Sequence, residues 1–334
     1  MHHLKAHGHL WRCELRATPS FLHPATENID ALHLLGSHPA VESMTEPRLL
    51  CAYAVQDELM LAAPINGGRA HAFGVFDGHG GARAARMLGR LMPAALSKHA
   101  PSIDKTGHDS AAWAAAFGEV DAAILKRAAT DGWDDGSTAL VAIIESPLDG
   151  SLEHIQLTLL QAGDCDAVLC TADGTLLAQE LVRRHRPTEP SEAKRLAAVG
   201  VHASATGRVM GLAVSRAFGD ASFKQGAQPY LIAEPEVCRR TILPAQGGSS
   251  ILILACDGLW DFVSAQQACD IVREELALPL EPLEDDSGAQ IDSDGAINRR
   301  GAQLRAAALK LAEAALECGG DDNVSVIVVQ LELK

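Results

Sequence analysis

The sequence predicts an α+β or layered-sandwich fold, and not a doubly wound parallel sheet. Short apolar, β-favouring runs separated by turn signals follow one another directly, and helical segments lie between groups of such runs. A doubly wound sheet would instead alternate single strands with single helices. The 334 residues, of which 47% are hydrophobic, are enough to bury a sizeable core.

The first half of the predicted domain has strands, then two helices, then more strands. AYAV (52–55) and HAFGVFD (71–77) are predicted to pair, because the NGG between them is a hairpin signal. Helical spacing of small and apolar residues predicts a helix over 81–100, which Pro93 should bend or break. A second helix is predicted over 111–129. The four strand-like runs that follow are STALVAIIES, HIQLTLLQAGD, AVLCTADG and TLLAQEL.

The second half begins with a short helix over 190–200 and returns to strands in PYLIAEPEV and SSILILACDGLWDF. A helix over 264–278 is predicted to be capped by Ser264. An acidic loop insertion follows at about 279–298, and its carboxylates lack an EF-hand arrangement. The basic segment NRRGAQLRAAALKLAEAALE predicts the last helix, and the end of GGDDNVSVIVVQLEL predicts the last strand.

Residues 1–45 are predicted to be a flexible, His-rich leader that precedes a single domain over 46–334. Half of the fourteen histidines fall within the first 38 residues, without regular metal-ligand spacing. This composition leaves organelle targeting open. The formal net charge of -15 argues against nucleic acid or an anionic membrane as the main partner.

The eight cysteines form no CxxC pair, and several lie in apolar runs. We therefore expect reduced, mostly buried thiols in an intracellular protein, located in the cytoplasm, the nucleus or both. No apolar stretch is long enough to span a bilayer. A monomer without membrane contacts is expected.

Three apolar runs end in an acidic residue beside glycine, at Asp77-Gly78, Gly163-Asp164 and Asp257-Gly258, and the acidic Asp321-Asp322-Asn323 precedes the last strand. A carboxylate at a strand end has its backbone fixed by the sheet while its side chain projects past the edge. Several such ends would form an oxygen-rich pocket of the kind that Mg²⁺ or Mn²⁺ prefers. Asp-Gly is also a common turn dipeptide, so ordinary turns remain the alternative.

His79 lies two residues beyond Asp77 in a glycine-rich turn. Its spacing from Asp77 would place a proton donor next to a metal ligand. A structural or solvated histidine in a surface turn is the alternative.

Together these motifs resemble the metal-dependent protein phosphatases of type 2C, which remove phosphate from phosphoserine and phosphothreonine. The resemblance covers about residues 50 to 334 and keeps the order of the family's motifs. The matching stretches are FGVFDGHGG (73–81), DGSTAL (135–140), QAGDCDAVL (161–169), PSEAKRLAAVG (190–200), GLAVSRAFGD (211–220), IAEPEV (232–237), LILACDGLWD (252–261) and DDNVSVIVV (321–329). The resemblance implies a central β-sandwich of two antiparallel sheets flanked by antiparallel α-helices, with a metal centre at one end.

The resemblance implies a site for two Mn²⁺ or Mg²⁺ ions. Asp77 would bridge the two ions and Gly78 would contribute its backbone carbonyl. Asp257 and Asp322 would hold the first ion, with Asn323 as a supporting neighbour of Asp322.

It also implies three catalytic residues, Asp77, His79 and Asp57. Asp57 would hold a metal-bound water, and His79 would be the general acid for the leaving serine or threonine oxygen. A metal-bridging hydroxide would attack phosphorus directly, so no phospho-enzyme forms and the cysteines have no role as nucleophiles. The implied partner is a phosphoprotein substrate.

Three positions depart from the family pattern. Gln56 stands where many members have a metal-binding glutamate, and Ala52 stands where many have a phosphate-binding arginine, with Arg48 nearby. Arg184 stands in RHRP where the family has an aspartate that implies a third, weaker metal. An arginine cannot ligate a cation, so Arg184 would replace either that third metal or the missing phosphate-binding arginine.

Two other functions stay open at this point. The departures at Ala52 and Arg184 fit a regulatory or binding module of the same fold with little turnover. Because substrate choice lies in surface loops, a hydrolase of a small phosphate ester is the third possibility.

Overall fold

The computed structural model describes residues 48–51, 57–65, 68, 70–100, 110–145, 154–171, 177–225, 229–243, 250–279 and 293–331. The strands are β1 (Arg48–Cys51), β2 (Glu58–Ile65), β3 (Ala70–Phe76), β4 (Gly78–His79), β5 (Gly136–Ser137), β6 (Ala139–Glu145), β7 (Ile155–Ala162), β8 (Asp166–Thr171), β9 (Leu177–Glu180), β10 (Phe218–Gly219), β11 (Glu236–Ile242), β12 (Ser250–Ala255) and β13 (Val326–Leu331). The helices are α1 (Arg83–His99), α2 (Ser110–Asp131), α3 (Pro190–Ala198), α4 (Asp257–Trp260), α5 (Ala265–Ala277) and α6 (Ser293–Glu317).

The strands form two five-stranded sheets and a small three-stranded one. The strand orders of the large sheets are β1-β13-β12-β8-β9 and β11-β7-β6-β3-β2, and every adjacent pair is antiparallel. The small sheet has the order β10-β5-β4. The predicted α+β fold, with two antiparallel sheets flanked by helices, is confirmed.

Successive side chains along the strands point to opposite faces of each sheet, so the two sheets and the helices outside them form four layers. Phe73 of β3 and Leu254 of β12 belong to the buried cluster between the two large sheets. Phe76 of β3 points the other way, into a cluster with α1 and α2, and Ile253 of β12 points into a cluster with α5 and α6. Because both faces of both sheets are covered, the central strands are continuously apolar and do not alternate with polar residues.

The partner predicted for the strand at 71–77 is wrong. β3 pairs with β2 on one side and with β6 on the other, so both of its edges are occupied by strands other than 52–55. The apolar run ELMLAAPI forms β2 directly before the turn signal, which makes it the nearer partner. Residues 52–55 themselves lie outside the described residues.

Two helices differ from their predicted extents. α1 continues through Pro93 to His99 without a break, because Leu88, Met92 and Leu96 are buried against the neighbouring elements and this packing offsets the hydrogen bond that proline cannot donate. α6 begins at Ser293, inside the stretch predicted as a loop. The predicted cap of α5 is confirmed, with a reciprocal capping box between Ser264 and Gln267.

The cysteine prediction is wrong for one pair. Cys170 of β8 and Cys269 of α5 form a disulfide with a Cα–Cα distance of 5.8 Å, although 99 residues separate them in sequence. Both lie in the buried cluster where α5 packs on the sheet, and only that packing brings them together. Cys165, Cys238, Cys256 and Cys318 are free thiols. None of the helices in the described ranges has the length and apolarity needed to cross a membrane.

Candidate metal centre and active site

Asp77 follows β3 and is fixed by the chain that enters β6. Its carbonyl accepts a hydrogen bond from the Thr138 N–H at 2.8 Å, and its N–H donates to Thr138 Oγ1 at 3.3 Å. Both ends of the residue are therefore held while the carboxylate projects beyond the strand. This is the strand-end arrangement that the sequence predicts for Asp77.

Acidic side chains from four other places lie close enough to Asp77 to change its ionisation. Burial raises the pKa of the Asp77 carboxyl well above its usual range, and the negative charges of Asp57, Asp257, Asp164 and Asp322 raise it further. Several carboxylates without a cation repel one another, so this cluster favours binding of positive charge.

Asp57 is the most exceptional member of the cluster. It is buried, and among the described residues neither of its carboxylate oxygens accepts a hydrogen bond of good geometry. Burial raises the pKa of Asp57 to about 6 and the negative charge of Asp322 adds to the effect, whereas the nearby Ser325 side chain, Gly78 N–H and Cys256 thiol oppose it. A buried carboxylate with such poorly aligned partners is costly, which marks this position as one that a ligand should complete.

Asp257 and Asp322 are brought together by the adjacent strands β12 and β13. The loop before β13 approaches so closely that a Cβ on Gly258 would overlap the Asn323 carbonyl, which explains why glycine follows Asp257. The Asn323 N–H donates to Asp322 Oδ1 at 2.8 Å. Burial, with the nearby charges of Asp164 and other acids, raises the pKa of Asp257 to about 7.

The chemistry of these donors fits a hard divalent cation. The cluster consists of carboxylates, and the Asp57 oxygens lack partners that a cation could supply. Within the described residues, however, no three histidine, cysteine or acidic side chains already stand at positions that would hold one ion together. The predicted ligands thus lie in one acidic cluster but do not form a closed coordination shell.

His79 lies at the edge of this cluster on the short strand β4. Its Nε2 is 2.7 Å from Asp220 Oδ2, and its side chain is 31% exposed, so the ring is held on one side and open to solvent. The sequence prediction did not include Asp220 among the site residues. Its signal was available, because Asp220 closes the stretch GLAVSRAFGD.

Arg184 is bound by acidic neighbours. Its Nε lies 3.4 Å from Asp166 Oδ2, its Nη1 donates to Asp261, and its Nη2 donates to the Trp260 carbonyl at 3.1 Å. Burial raises the pKa of Asp166 to about 6 in spite of the Arg184 charge.

Arg186 extends the same network to the acidic cluster. It donates to Asp164 at 3.3 Å and to both oxygens of Asp261 at 2.8 Å, and its Nη2 lies 3.6 Å from Asp257. Burial raises the pKa of Asp164, although the Arg186 charge opposes the shift. Sequence reasoning noticed Asp164 as a strand-end acid but did not assign it, Arg186 or Asp261 to the site.

Two predicted positions cannot be placed in this arrangement. Gln56 and Ala52 lie outside the described residues. Arg48 is described only as part of the backbone of β1, where it is opposite Gln330.

Comparison with known proteins matches most of the chain to the family that the sequence motifs resemble. Residues 53–324 match the family model for "Protein phosphatase 2C". A relative named "Probable protein phosphatase 2C 59" from Arabidopsis thaliana is 37% identical over 204 residues, 60% of this chain and 59% of that protein. A second of that name, from Oryza sativa subsp. japonica, is 33% identical over 77% of this chain and 65% of that protein. The chain thus covers less than two thirds of the length of either relative.

Solved structures show a similar fold. A crystal structure described as a phosphatase from a pathogenic strain of Toxoplasma gondii has a TM-score of 0.65 and 21% identity, over 86% of this chain and 92% of that one. A structure described as a C. elegans sex determining protein also has a TM-score of 0.65, with 22% identity over 87% of this chain and 65% of that one. At these identities the likeness concerns the fold alone.

Proposed function

This chain belongs to the protein phosphatase 2C family, and we propose on that basis that it hydrolyses phosphoserine and phosphothreonine in proteins with two Mn²⁺ or Mg²⁺ ions bound. The observation that carries the proposal is the acidic cluster around Asp77, to which the buried Asp57 carboxylate belongs. Without bound cations these carboxylates would repel one another, so the cluster supports metal binding at this place.

Asp77, Asp257, Asp322 and the Gly78 carbonyl would hold the ions. When bound, such ions lower the pKa of a water and neutralise charge on the phosphoryl group. Gln56, at the position where many family members have a metal-binding glutamate, would add an uncharged amide oxygen to this set.

The remaining steps belong to the protein's own side chains. Asp57 accepts a hydrogen bond from the water that faces the phosphate and so orients it. His79 supplies a proton to the leaving serine or threonine oxygen. Its side chain on β4 is partly exposed to solvent, so a substrate can reach it. The substrate is expected to be a phosphoprotein, and the expectations of a monomer, of no nucleic-acid or membrane partner, and of a cytoplasmic or nuclear location stay predictions.

The experiment is to measure phosphate release from a phosphothreonine peptide with Mn²⁺, with Mg²⁺ and after treatment with EDTA. We expect release that stops on chelation and returns when Mn²⁺ is restored. An inert protein that still binds Mn²⁺ by calorimetry would favour the low-activity regulatory module. Turnover of a small ester without turnover of the peptide would favour the third function.

We further propose that Arg184 occupies the place of a third cation and does not bind substrate phosphate. Three of its N–H positions already contact Asp166, Asp261 and the Trp260 carbonyl, which leaves the guanidinium committed to internal partners. An arginine between two carboxylates neutralises them as a cation would.

Arg184→Asp should therefore bind one more Mn²⁺ per chain than the wild type, because the substitution removes a positive charge and adds an oxygen ligand beside Asp166 and Asp261. Isothermal titration calorimetry measures the stoichiometry directly. Arg183→Ala is the matched control, since Arg183 is adjacent, exposed and paired only with Glu236 among the acids described near it. Equal stoichiometry in the wild type and Arg184→Asp would contradict the proposal.

A further inference from the structure

The contact between His79 and Asp220 joins residues that are 141 positions apart in sequence. Asp220 is almost fully buried, with 3% of its side chain exposed, whereas the His79 ring is partly open. The short distance of 2.7 Å uses the Nε2 atom of His79, and no other described residue forms a hydrogen bond with the ring. The Nδ1 atom is therefore the ring nitrogen that forms no hydrogen bond with the described residues.

The small three-stranded sheet is built around this contact. β5 is its central strand, and Gly136 lies opposite His79 on one side and opposite Gly219 on the other. A Cβ on Gly136 would overlap both the Asp220 carboxylate and His79 Nε2. The two side chains therefore meet directly above a glycine, where any other residue would separate them.

The backbone of Asp220 is held in an uncommon conformation that aims its carboxylate at His79. Its φ of 53° lies in the left-handed region, which residues other than glycine adopt uncommonly. Its N–H donates to the Asp135 carbonyl at 3.1 Å, and Asp135 is itself bound by Arg83. The preceding Gly219 N–H donates to Asp121 Oδ1 at 2.9 Å. Strain maintained by so many contacts commonly marks a functional position.

We propose that Asp220 is the positioning residue for His79: it fixes the imidazole through Nε2 and thereby makes Nδ1 the atom that serves the leaving oxygen. This inference rests on the proposed function, in which His79 is the general acid. Two features carry it, the direct contact above Gly136 and the left-handed backbone of Asp220 that is tied to Asp135. A buried carboxylate on one nitrogen sets the tautomer and orientation of the ring, as second partners of functional histidines do.

The His79 ring supplies the proton that the leaving oxygen needs. As the bond between phosphorus and the serine or threonine oxygen breaks, its electron pair stays on that oxygen, and the proton from His79 Nδ1 joins it. A water oxygen forms the new bond to phosphorus and its proton passes to solvent, and the ring takes a proton back from solvent at Nδ1 before the next turnover. Asp220 stays hydrogen-bonded to Nε2 throughout and keeps the ring in place.

The test compares two phosphate esters whose leaving groups differ in their need for a proton. Asp220→Ala should reduce kcat on a phosphothreonine peptide by about a hundredfold, the usual contribution of general acid catalysis, with KM unchanged. The loss on p-nitrophenyl phosphate should be at least tenfold smaller, because nitrophenolate leaves without protonation. His79→Ala should show the same pattern, and the Asp220→Ala/His79→Ala double variant should be no slower than His79→Ala alone.

Two controls and one replacement variant make the result decisive. Asp134→Ala alters a neighbouring acid that bonds the exposed Ser222 N–H and does not touch His79, so it should leave both activities unchanged. Mn²⁺ affinity measured by calorimetry should be the same in the wild type and Asp220→Ala, and if the alanine variant does not fold, Asp220→Asn replaces it in every arm. Equal losses on both esters, or additive losses in the double variant, would refute the role of Asp220, whereas an inert wild type would refute the proposed function itself.

Discussion

Asp77→Asn should reduce phosphate release by about a thousandfold or more, because loss of its negative charge weakens the binding of ions whose Lewis acidity is worth several kcal/mol. The Asp77 carboxylate lies in the middle of the acidic cluster and is affected by four other acids. The substitution preserves shape and volume, so its effect reports charge. Asp257→Asn should act in the same direction, since Asp257 is a member of the same cluster.

The same substitution should stabilise the metal-free protein at pH 7.5. The folded-state pKa values of Asp57, about 6, and of Asp257, about 7, lie above the ordinary value of 3.8. The stability that these groups contribute is therefore fully present below about pH 3.8 and is lost as the pH rises through 6 and 7. The metal-free wild type should gain stability between pH 8 and pH 5, and removal of the Asp77 charge should reduce this dependence.

Thermal unfolding in EDTA between pH 8 and pH 5, followed by a Mn²⁺ titration at pH 7.5, measures both effects. Mn²⁺ should raise the Tm of the wild type strongly and that of Asp77→Asn weakly. Asp270→Asn is the matched control, since it removes the charge of a partly exposed acid on α5 that pairs with Arg273. A metal-free Tm that falls in Asp77→Asn would show that its carboxylate is not under repulsion.

Glu192→Ala should lower the free energy of unfolding by about 3 kcal/mol, because it leaves two arginines without their carboxylate. Glu192 lies on α3 and is buried. It accepts hydrogen bonds from Arg195 at 2.8 Å, from Arg216 at 2.7 Å and from the Ser215 hydroxyl at 2.7 Å. We take the lower end of the usual range because 24% of the Arg195 side chain and 14% of the Arg216 side chain remain exposed.

The pH dependence of this stabilisation is opposite to that of the acidic cluster. Although burial opposes ionisation, hydrogen bonds from the two arginines and Ser215 hold the pKa of Glu192 at about 2, below its ordinary 4.5. Its contribution is thus present above about pH 4.5 and is lost as the pH falls towards 2. Urea unfolding at pH 7 and pH 3 separates the two contributions, with the exposed Glu274→Ala on α5 as control. A loss that stays equal at both values would contradict the expected role of the Glu192 charge.

This network also connects stability to the site. Arg216 stands four residues before Asp220, and its guanidinium is clamped between Glu192 and the Glu234 carbonyl. These contacts fix the position of the chain directly before β10. Loss of Glu192 should consequently lower activity as well as stability.

Sequence patterns predicted the parts of the site that depend on local structure. A carboxylate after an apolar β-run is readable because the run fixes a strand and the following glycine permits the turn, as at Asp77 and Asp257. The order of such runs also predicts the layered antiparallel fold, since buried strands and amphipathic helices have different periodicities.

The other contacts of the site join residues that are distant in sequence. Asp220 reaches His79 because β10 and β4 share β5, and Arg186 reaches Asp164 and Asp261 only through the packing of β8 against β12 and α4. Contacts of this kind depend on which segments become neighbours in the fold. The spacing of residues along the chain does not predict them. The same applies to Cys170 and Cys269, whose disulfide depends on the packing of α5 against β8.

The sequence by itself therefore determined the family, the fold class and the acids at the strand ends, because each follows from local patterns of apolar and acidic residues. Tertiary structure alone decided which charges meet: the acids around Asp77, the arginines that neutralise Asp261, and the carboxylate that holds His79. Electrostatic interactions fall off steeply with distance and with exposure to water, so they become defined only when folding sets both.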